Sequence, residues 1–347
     1  MRRQATTLLV SAILALVLAI WATQLPVPYV RDVPGPVSDT LGSVQGKPLI
    51  SIGHPTATPQ GRLYLVTVSE YGGPRKDISS FDVLKGWWEQ SDAVIPRRLI
   101  YSDTQTAQQV SQEGAAEMIG SQEQGKIAAL RYLGYHLTPG AAVAGVNLPA
   151  LKDKLHVGDI IVGADSTTVT NGEDLLKVIA AHQAGDQITL HVVRGTDSVY
   201  VPVSLQPPTA DGKTPRIGIA IMDSFTKPFA IDINLPDVAG PSAGTGFALG
   251  IIDKLTDGTL TGGRTIAVTG TIDAAGTVGA IGGVIQKMAG ARSAGATVFL
   301  LPKDNCAEAL TAVPHGLRVV PITTLTSAVQ ALKAINAGTT VPTCPAT

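Results

Sequence analysis

The feature that most limits how this chain can fold is an uncharged apolar segment near its N-terminus. Residues 7–25 carry no charge, Arg2 and Arg3 precede them, and the segment is followed by Pro26 and Pro28. As a helix, about 19 residues reach roughly 28 Å, close to the thickness of the apolar core of a bilayer. Positively charged residues beside such a segment remain in the cytosol. The segment therefore predicts a single-pass membrane anchor, with the bulk of the chain outside the cytoplasm.

A cleaved signal peptide is the alternative interpretation of the same segment. Cleavage requires small residues at alternating positions, whereas Ile20 and Trp21 crowd the one suitable place, before Thr23. The anchor is therefore the favoured interpretation. Under both interpretations, most of the chain lies in an extracytoplasmic compartment.

Composition and cysteine spacing exclude two classes of partner. Only 15% of the 347 residues are charged, the formal net charge is -1, and no dense basic run occurs, so a nucleic acid is not an expected partner. Cys306 and Cys344, with His315 between them, do not have the spacing of a metal site. In an oxidising compartment these two cysteines are candidates for a disulfide, and two free thiols are the alternative.

Hydrophobic periodicity predicts a mixed α/β (α+β) protein of several domains. In "GRLYLVTVS", residues 61–69, both alternating faces are largely apolar, which indicates a strand covered on both sides. A Gln- and Glu-rich segment from about 103 to 133 indicates an amphipathic helix. The predicted organisation is a cytoplasmic tail and transmembrane anchor at 1–25, a linker at 26–47, a strand and helix region at 48–133, a small β-rich domain at 134–207, an α/β domain at 215–335 and a tail at 336–347.

The β-rich domain at 134–207 carries a distinctive order of elements. "LHVGDII", residues 155–161, indicates a turn and a strand, and a helix at 171–181 follows with Asn171 as its N-cap. The stretch resembles a PDZ domain of the circularly permuted type found in bacterial envelope proteases. The resemblance implies that an extended peptide adds to a strand edge, with its terminal carboxylate near residues 137–146. The alternative is a small domain that only packs against its neighbour.

The glycine-rich passage "VAGPSAGTGFALG", residues 238–250, contains a candidate nucleophile, Ser242. Gly240 and Pro241 favour a strand-to-helix elbow with the serine in the first helical turn. Free N–H groups at a helix start can stabilise an oxyanion, so Gly240 and Ala243 are candidate supporting residues. The alternative is that these small residues only permit close helix packing.

The segment "IGGVIQKMAGARSAG", residues 281–295, places a lysine on the apolar face of a helix. Lys287 shares that face with Val284, Met288 and Ala291. Burial disfavours the charged form of lysine and lowers its pKa, which yields a neutral amine able to act as a base. The alternative is an ammonium group that extends to solvent beyond a short apolar stem.

A histidine offers a second interpretation of the serine. G-x-S-x-G also matches the nucleophile elbow of α/β-hydrolases, in which an acid and then a histidine follow the serine. Asp304 and His315 occur in that order, although the domain is short for that fold and His315 lies in the turn-like "VPHGL". Ser242, Asp304 and His315 are therefore the alternative catalytic set.

Three motifs in a fixed order carry a family resemblance in the α/β domain. They are "GPSAG" at 240–244, "AVTG" at 267–270 and "GTVGAIGGVIQKMAGARSAGATVFLLPKDN" at 276–305. Together they resemble the proteolytic domain of Lon-type proteases. The resemblance implies a Ser–Lys dyad, in which Ser242 attacks the peptide carbonyl and Lys287 accepts the proton and delivers it to the leaving amine.

The same resemblance gives Thr269 a supporting role as a hydrogen-bond partner of the lysine, and two features depart from it. Ala239 stands where many Lon enzymes carry an acidic residue, which leaves acidic gating of the site without support. The string "DGKT" at 211–214 has Pro207 where a phosphate-binding loop requires glycine. The chain is therefore expected to act without ATP, and no cofactor or metal is predicted.

The anchor, the PDZ-like domain and the Lon-like domain together resemble the membrane-anchored PDZ–Lon proteases of bacteria. They imply an ATP-independent serine endopeptidase of the cell membrane that cleaves protein or peptide substrates outside the cytoplasm. A hexamer is the expected homo-oligomer by analogy with Lon-like domains. The alternative function is a catalytically silent scaffold, against which the presence of both Ser242 and Lys287 argues.

Overall fold

The structure is a computed structural model that describes residues 2–54, 56–74, 76–102, 104–209, 212, 214–236 and 238–345. Within these residues the α-helices are α1 (Arg2–Thr23), α2 (Ser80–Trp88), α3 (Ala107–Tyr132), α4 (Gly172–Ala180), α5 (Gly244–Leu255), α6 (Val284–Ser293), α7 (Cys306–Ala309) and α8 (Leu325–Asn336).

The strands of the described residues are β1 (Pro26–Val27), β2 (Tyr29–Asp39), β3 (Ser43–Val44), β4 (Lys47–Pro48), β5 (Ile50–Ile52), β6 (Arg62–Tyr71), β7 (Ile78–Ser79), β8 (Ala93–Pro96), β9 (Pro139–Val146), β10 (Ile160–Ala164), β11 (Thr167–Thr168), β12 (Gln187–Arg194), β13 (Asp197–Ser204), β14 (Ile219–Phe225), β15 (Ile231–Ile233), β16 (Thr265–Val268), β17 (Thr271–Ile272), β18 (Val278–Gly279), β19 (Val298–Pro302) and β20 (Arg318–Ile322).

The chain divides into two compact units whose limits differ from the predicted domain limits. Unit one comprises residues 1–50, 57–125 and 234–347, and unit two comprises residues 51–56 and 126–233. Unit one therefore combines the region before the PDZ-like domain with the region after it. Local hydrophobic patterns do not predict this combination, because it depends on the pairing of strands that are far apart in the sequence.

Unit one is built on a sheet of six strands in the order β20-β19-β16-β6-β2-β8. The first four strands are parallel to one another, whereas β2 is antiparallel to both β6 and β8. The interpretation of residues 26–47 as a linker is therefore corrected, because half of that range forms β2 and parts of the rest form β1 and β3. The prolines of β2 are tolerated where its pairing with β6 shifts register, between Pro34 and Val37.

Both faces of β6 are covered, as its sequence predicts. Tyr64 and Val66 belong to a buried apolar cluster with Val284 and Met288 of α6. Leu65 points the other way and lies against the glycine-rich start of α5, whose first ten residues are all buried. Because strand side chains alternate between faces, β6 separates α5 from α6 within unit one.

Unit two has the strand order β13-β12-β10-β9-β14, with β11 paired to β10, around a core of aliphatic side chains. The predicted N-cap of α4 is confirmed, since the Asn171 side chain accepts a hydrogen bond from the backbone N–H of Asp174. The predicted carboxylate loop at 137–146 is corrected, because most of it forms β9, a strand that lies between β10 and β14 in the sheet. The edge strand beside α4 is β14, formed by a segment that the sequence assigns to the next domain.

The two ends of the chain show the predicted helix and a covalent link. α1 is a helix of 22 residues, long and apolar enough to cross a bilayer, although a signal sequence near an N-terminus has the same properties. Cys306 and Cys344 form a disulfide, with Cα atoms 5.4 Å apart. The bond joins the C-terminal segment to the start of α7.

Candidate active site

Ser242 lies in a turn immediately before α5. The helix begins at Gly244 with Ala243 as its N-cap residue, so Pro241 and Ser242 precede the first helical turn instead of forming it as predicted. Gly240 has a φ of 93°, a conformation that strongly favours glycine. Its N–H donates to the carbonyl of Gly114 in α3, at 3.0 Å, which fixes the approach to the serine.

Backbone hydrogen bonds hold the serine turn beside the carboxyl end of β16. The carbonyl of Ser242 accepts hydrogen bonds from Gly270 N at 3.0 Å and from Thr269 Oγ1 at 3.3 Å. The carbonyl of Pro241 accepts a hydrogen bond from Ser121 Oγ of α3 at 2.9 Å. The predicted contact of Thr269 with the lysine is therefore corrected: its hydroxyl binds the backbone of the serine turn and positions the serine.

Lys287 lies on the buried face of α6 and reaches the serine. Gly283, at a φ of 69°, precedes the helix, and Val284, Met288 and Ala291 are fully buried around the lysine face. Only 4% of Lys287 is exposed, and its Nζ donates a hydrogen bond to Ser242 Oγ at 2.9 Å. The lysine therefore does not extend to solvent, and the structure brings together the two residues that the sequence singles out.

The electrostatic environment of Lys287 favours its neutral form. Burial lowers the pKa of its amine from 10.5 to about 8, and the negative charge of Glu308 partly opposes this shift. The serine hydroxyl lies at hydrogen-bond distance from the amine. A neutral amine in this position can accept the hydroxyl proton, which is the requirement for activating a serine.

Ser242 and Lys287 line an open cleft of about 590 Å³ in unit one. Its other walls come from β2, β6, α3, residues 235, 238 and 239 before the serine turn, and the glycine pair before α6. Asp32 and Glu70 place two carboxyl groups on the wall. Burial, and then the charge of Glu70, raise the pKa of Asp32 to about 6.

The alternative set of Ser242, Asp304 and His315 is not assembled in unit one. The carbonyl of His315 accepts a hydrogen bond from Arg292 Nε, and Asp304 lies in the turn before α7. Among the described residues, neither the Asp304 side chain nor the His315 side chain forms a hydrogen bond with Ser242. The side chain that does form a hydrogen bond with Ser242 Oγ is that of Lys287.

Some residues of the site carry no signal in the sequence. Ser121 and Met118 reach the cleft region from α3, and Asp32 reaches it from the stretch interpreted as a linker. Each lies more than a hundred positions before Ser242 along the chain. Only the packing of α3 and the pairing of β2 with β6 bring them to the serine.

Comparison with known proteins gives two family matches, one to each of two regions of the chain. Residues 213–334 match the family model of the Lon protease (S16) C-terminal proteolytic domain, and residues 129–205 match that of the PDZ domain. Lon protease of Clostridioides difficile is 36% identical over 117 residues, which cover 30% of this chain and 14% of that protein. Lon protease 1 of Bacillus subtilis is 37% identical over 97 residues, which cover 27% of this chain and 12% of that protein.

The shared region is therefore a small part of each curated relative. Among solved structures, the PDZ domain of an SdrC-like protein from Listeria monocytogenes is 27% identical and covers 24% of this chain and 86% of that chain, with a TM-score of 0.22. The mixed α/β fold and the predicted domain types are confirmed by the family matches. By these matches, residues 213–334 of this chain are similar to the Lon-type C-terminal proteolytic domain, and residues 129–205 are similar to the PDZ domain.

Proposed function

We propose that this chain is an ATP-independent serine endopeptidase with Ser242 as its nucleophile and Lys287 as its general base. The observation that carries the proposal is the 2.9 Å contact between Lys287 Nζ and Ser242 Oγ. A buried amine with a pKa of about 8 supplies neutral base near physiological pH. The Lon-type proteolytic domain supports a protease as the class of enzyme.

The reaction follows from the positions of the two side chains. Ser242 Oγ attacks the scissile carbonyl carbon while Lys287 takes the hydroxyl proton, and the resulting tetrahedral intermediate carries a negative oxygen. Lys287 then gives its proton to the departing amine, which leaves an ester on Ser242. In the second half of the reaction, Lys287 takes a proton from a water molecule, which attacks the ester. The ester bond breaks, the second product leaves, and the proton returns to Ser242 Oγ.

The start of α5 supports a site for the negative oxygen. Ala243 is the N-cap residue of a buried helix, and no side chain caps that end. Ser242 and Ala243 both line the cleft, so we infer that their backbone N–H groups donate to the oxyanion. Gly240 supports this arrangement because its positive φ sets the path of the backbone into the serine turn.

The free part of β6 supports a binding mode for the substrate main chain. β16 pairs with β6 only over residues 62–65, and β2 occupies the opposite edge along residues 64–71. In the part of the chain that the structure describes, residues 66–70 of β6 thus have one unpaired edge, and they line the cleft. We infer that an extended substrate adds to this edge, which requires a locally unfolded chain and explains how cleavage proceeds without ATP.

The PDZ domain supports capture of a peptide or protein terminus. β14 is an edge strand of its sheet, and α4 packs beside it, with Gly172 N donating to Asp223 Oδ1 at 2.7 Å. Strand addition at β14, alongside α4, is the binding mode we infer. Anchoring through α1 with the catalytic unit outside the cytoplasm, and assembly as a hexamer, are further parts of the proposal.

Proteolysis by the full-length chain in lipid vesicles tests the function. We expect casein or an extended fluorogenic peptide to be cleaved without ATP, and Ser242→Ala to abolish the cleavage because alanine has no hydroxyl group with which to form the ester. Identical rates with and without ATP are expected. A parent protein that cleaves neither substrate would favour the silent scaffold.

The rate of cleavage is expected to rise with pH through about 8 and to level off above it. The pKa of Lys287 is lowered to about 8 by burial, and only the neutral amine accepts a proton. Each pH unit below that value therefore lowers the neutral fraction, and kcat/KM, about tenfold. The measurement is kcat/KM for a fluorogenic peptide across this range.

Asp32→Asn is the control for this pH profile. It removes the cleft carboxyl group whose pKa is raised to about 6 and should leave the rise near 8 in place. A rise centred on the ordinary pKa of histidine, about 6.5, would instead favour His315 as the base.

A further inference from the structure

Helix α2 carries large apolar side chains on the side that faces away from the fold. Phe81 and Leu84 are each 53% exposed, and Trp88 is 86% exposed. Their spacing of three and four residues places them on one stripe of the helix. Trp87, 66% exposed, lies beside that stripe. A water-facing helix surface normally carries polar residues at such positions.

The opposite face of α2 is already used for packing. Val83 and Gly86 are buried, and a Cβ at Gly86 would lie 2.4 Å from Val94 Cγ2. The N-terminus of the helix is fixed by a capping box between Ser79 and Asp82. The exposed aromatic side chains therefore cannot turn inward by rotation of the helix, and the fold holds them outside.

The exposed stripe begins where the apolar helix α1 ends. Ser80, the first residue of α2, donates two hydrogen bonds to the carbonyl of Leu25, from N at 2.9 Å and from Oγ at 3.0 Å. The chain has three tryptophans, and Trp21, Trp87 and Trp88 all occur on these two helices. Trp21 is 63% exposed near the end of α1.

A second exposed segment lies close to the same place. Arg97 N donates to the carbonyl of Pro28, three residues beyond Leu25, at 3.0 Å. The adjoining Arg98 is exposed, and Leu99 is 73% exposed. Basic and apolar side chains together match the chemistry of a lipid headgroup region.

We propose that α2 is an interfacial helix that lies in the outer surface of the bilayer, with Phe81, Leu84, Trp87 and Trp88 inserted among the lipids. The proposal rests on the membrane anchoring of α1. The 22 residues of α1 extend about 33 Å, so a spanning α1 brings Leu25, and α2 with it, to the interface. Tryptophan is enriched at this depth. Two attachments would fix the orientation of unit one, which a single spanning helix leaves free to rotate.

Tryptophan fluorescence of the full chain in phosphatidylcholine vesicles tests the proposal. In Trp21→Phe, the tryptophan emission comes from Trp87 and Trp88 alone. We expect their emission to be shifted to shorter wavelength and to be quenched by lipids brominated near the glycerol end of the acyl chains. Phe81→Ser combined with Leu84→Ser should reduce this quenching, while Val157→Ser, at an exposed apolar position in unit two, should not.

The variant with Trp87→Phe and Trp88→Phe reports on α1 separately, through Trp21. Quenching of Trp21 without quenching of Trp87 and Trp88 would overturn the interfacial helix and leave the anchor standing. Absence of quenching at all three positions would overturn both. An emission shift that appears without bromine quenching, and only at high protein concentration, would assign the stripe to a second copy of the chain and overturn the proposal. Proteolytic activity does not enter any of these outcomes.

Discussion

Lys287→Met is expected to lower the rate of peptide cleavage by roughly 10²- to 10⁴-fold, the range that a positioned general acid and base contributes. Methionine fills the volume of the buried lysine stem but cannot take the proton of Ser242. The substitution also removes a buried amine whose charged form is penalised by burial, so the free energy of unfolding should be unchanged or higher. Activity and stability are therefore expected to change independently.

Two control variants test whether the loss of cleavage is specific to Lys287. Lys303→Met makes the same substitution at an exposed lysine, close in sequence to α7, and should retain the parent rate. His315→Ala should also retain it, since Lys287 and not His315 contacts Ser242. Activity that survives Lys287→Met and disappears in His315→Ala would contradict the lysine base.

Gly125→Val is expected to lower the free energy of unfolding by about 3 kcal/mol or more, through overpacking at a close helix crossing. A Cβ at Gly125 of α3 would lie 2.9 Å from the carbonyl oxygen of Gly244 and 3.2 Å from Phe247 Cβ, both in α5. Because one of these atoms belongs to the backbone, the start of α5 must move. Ser242 precedes that start by two residues, so cleavage should fall as well.

Gly120→Val is the matched control on the same helix. A Cβ at Gly120 meets nothing within 4 Å, and valine is a somewhat better helix former than glycine. Urea unfolding should therefore give Gly120→Val a stability equal to or slightly above that of the parent. Equal stability of Gly125→Val and the parent would contradict the close crossing of α3 and α5.

Local patterns predicted the features of the site that depend on local structure. The face of α6 that carries Lys287 follows from helical periodicity, and the covered strand β6 follows from its alternation. The N-cap of α4 follows from the chemistry of Asn171. The resemblance of three motifs to Lon-type proteases placed Ser242 and Lys287 in one domain, which the family match supports.

Features set by distant pairing could not be predicted in the same way. The proline- and glycine-rich "VPGPV" of β2 has the composition of a linker, yet pairing with β6 and a register shift at the prolines make it a strand. β14 pairs with β9 although a turn-rich segment separates it from the rest of the PDZ domain. The resemblance predicts that Thr269 contacts the lysine, but the position of the serine turn beside β16 gives the threonine hydroxyl a backbone partner instead.

Covalent labelling of the nucleophile tests most directly the claim that Lys287 activates Ser242. The full-length chain is treated with a fluorophosphonate, which forms a stable bond with an activated serine, and the modified residue is located by mass spectrometry of the digested protein. The account predicts one adduct on Ser242 in the parent protein, formed faster as the pH rises through about 8, and little or none in Lys287→Met. An adduct on a different serine, or equal labelling of Ser242 in Lys287→Met, would contradict it.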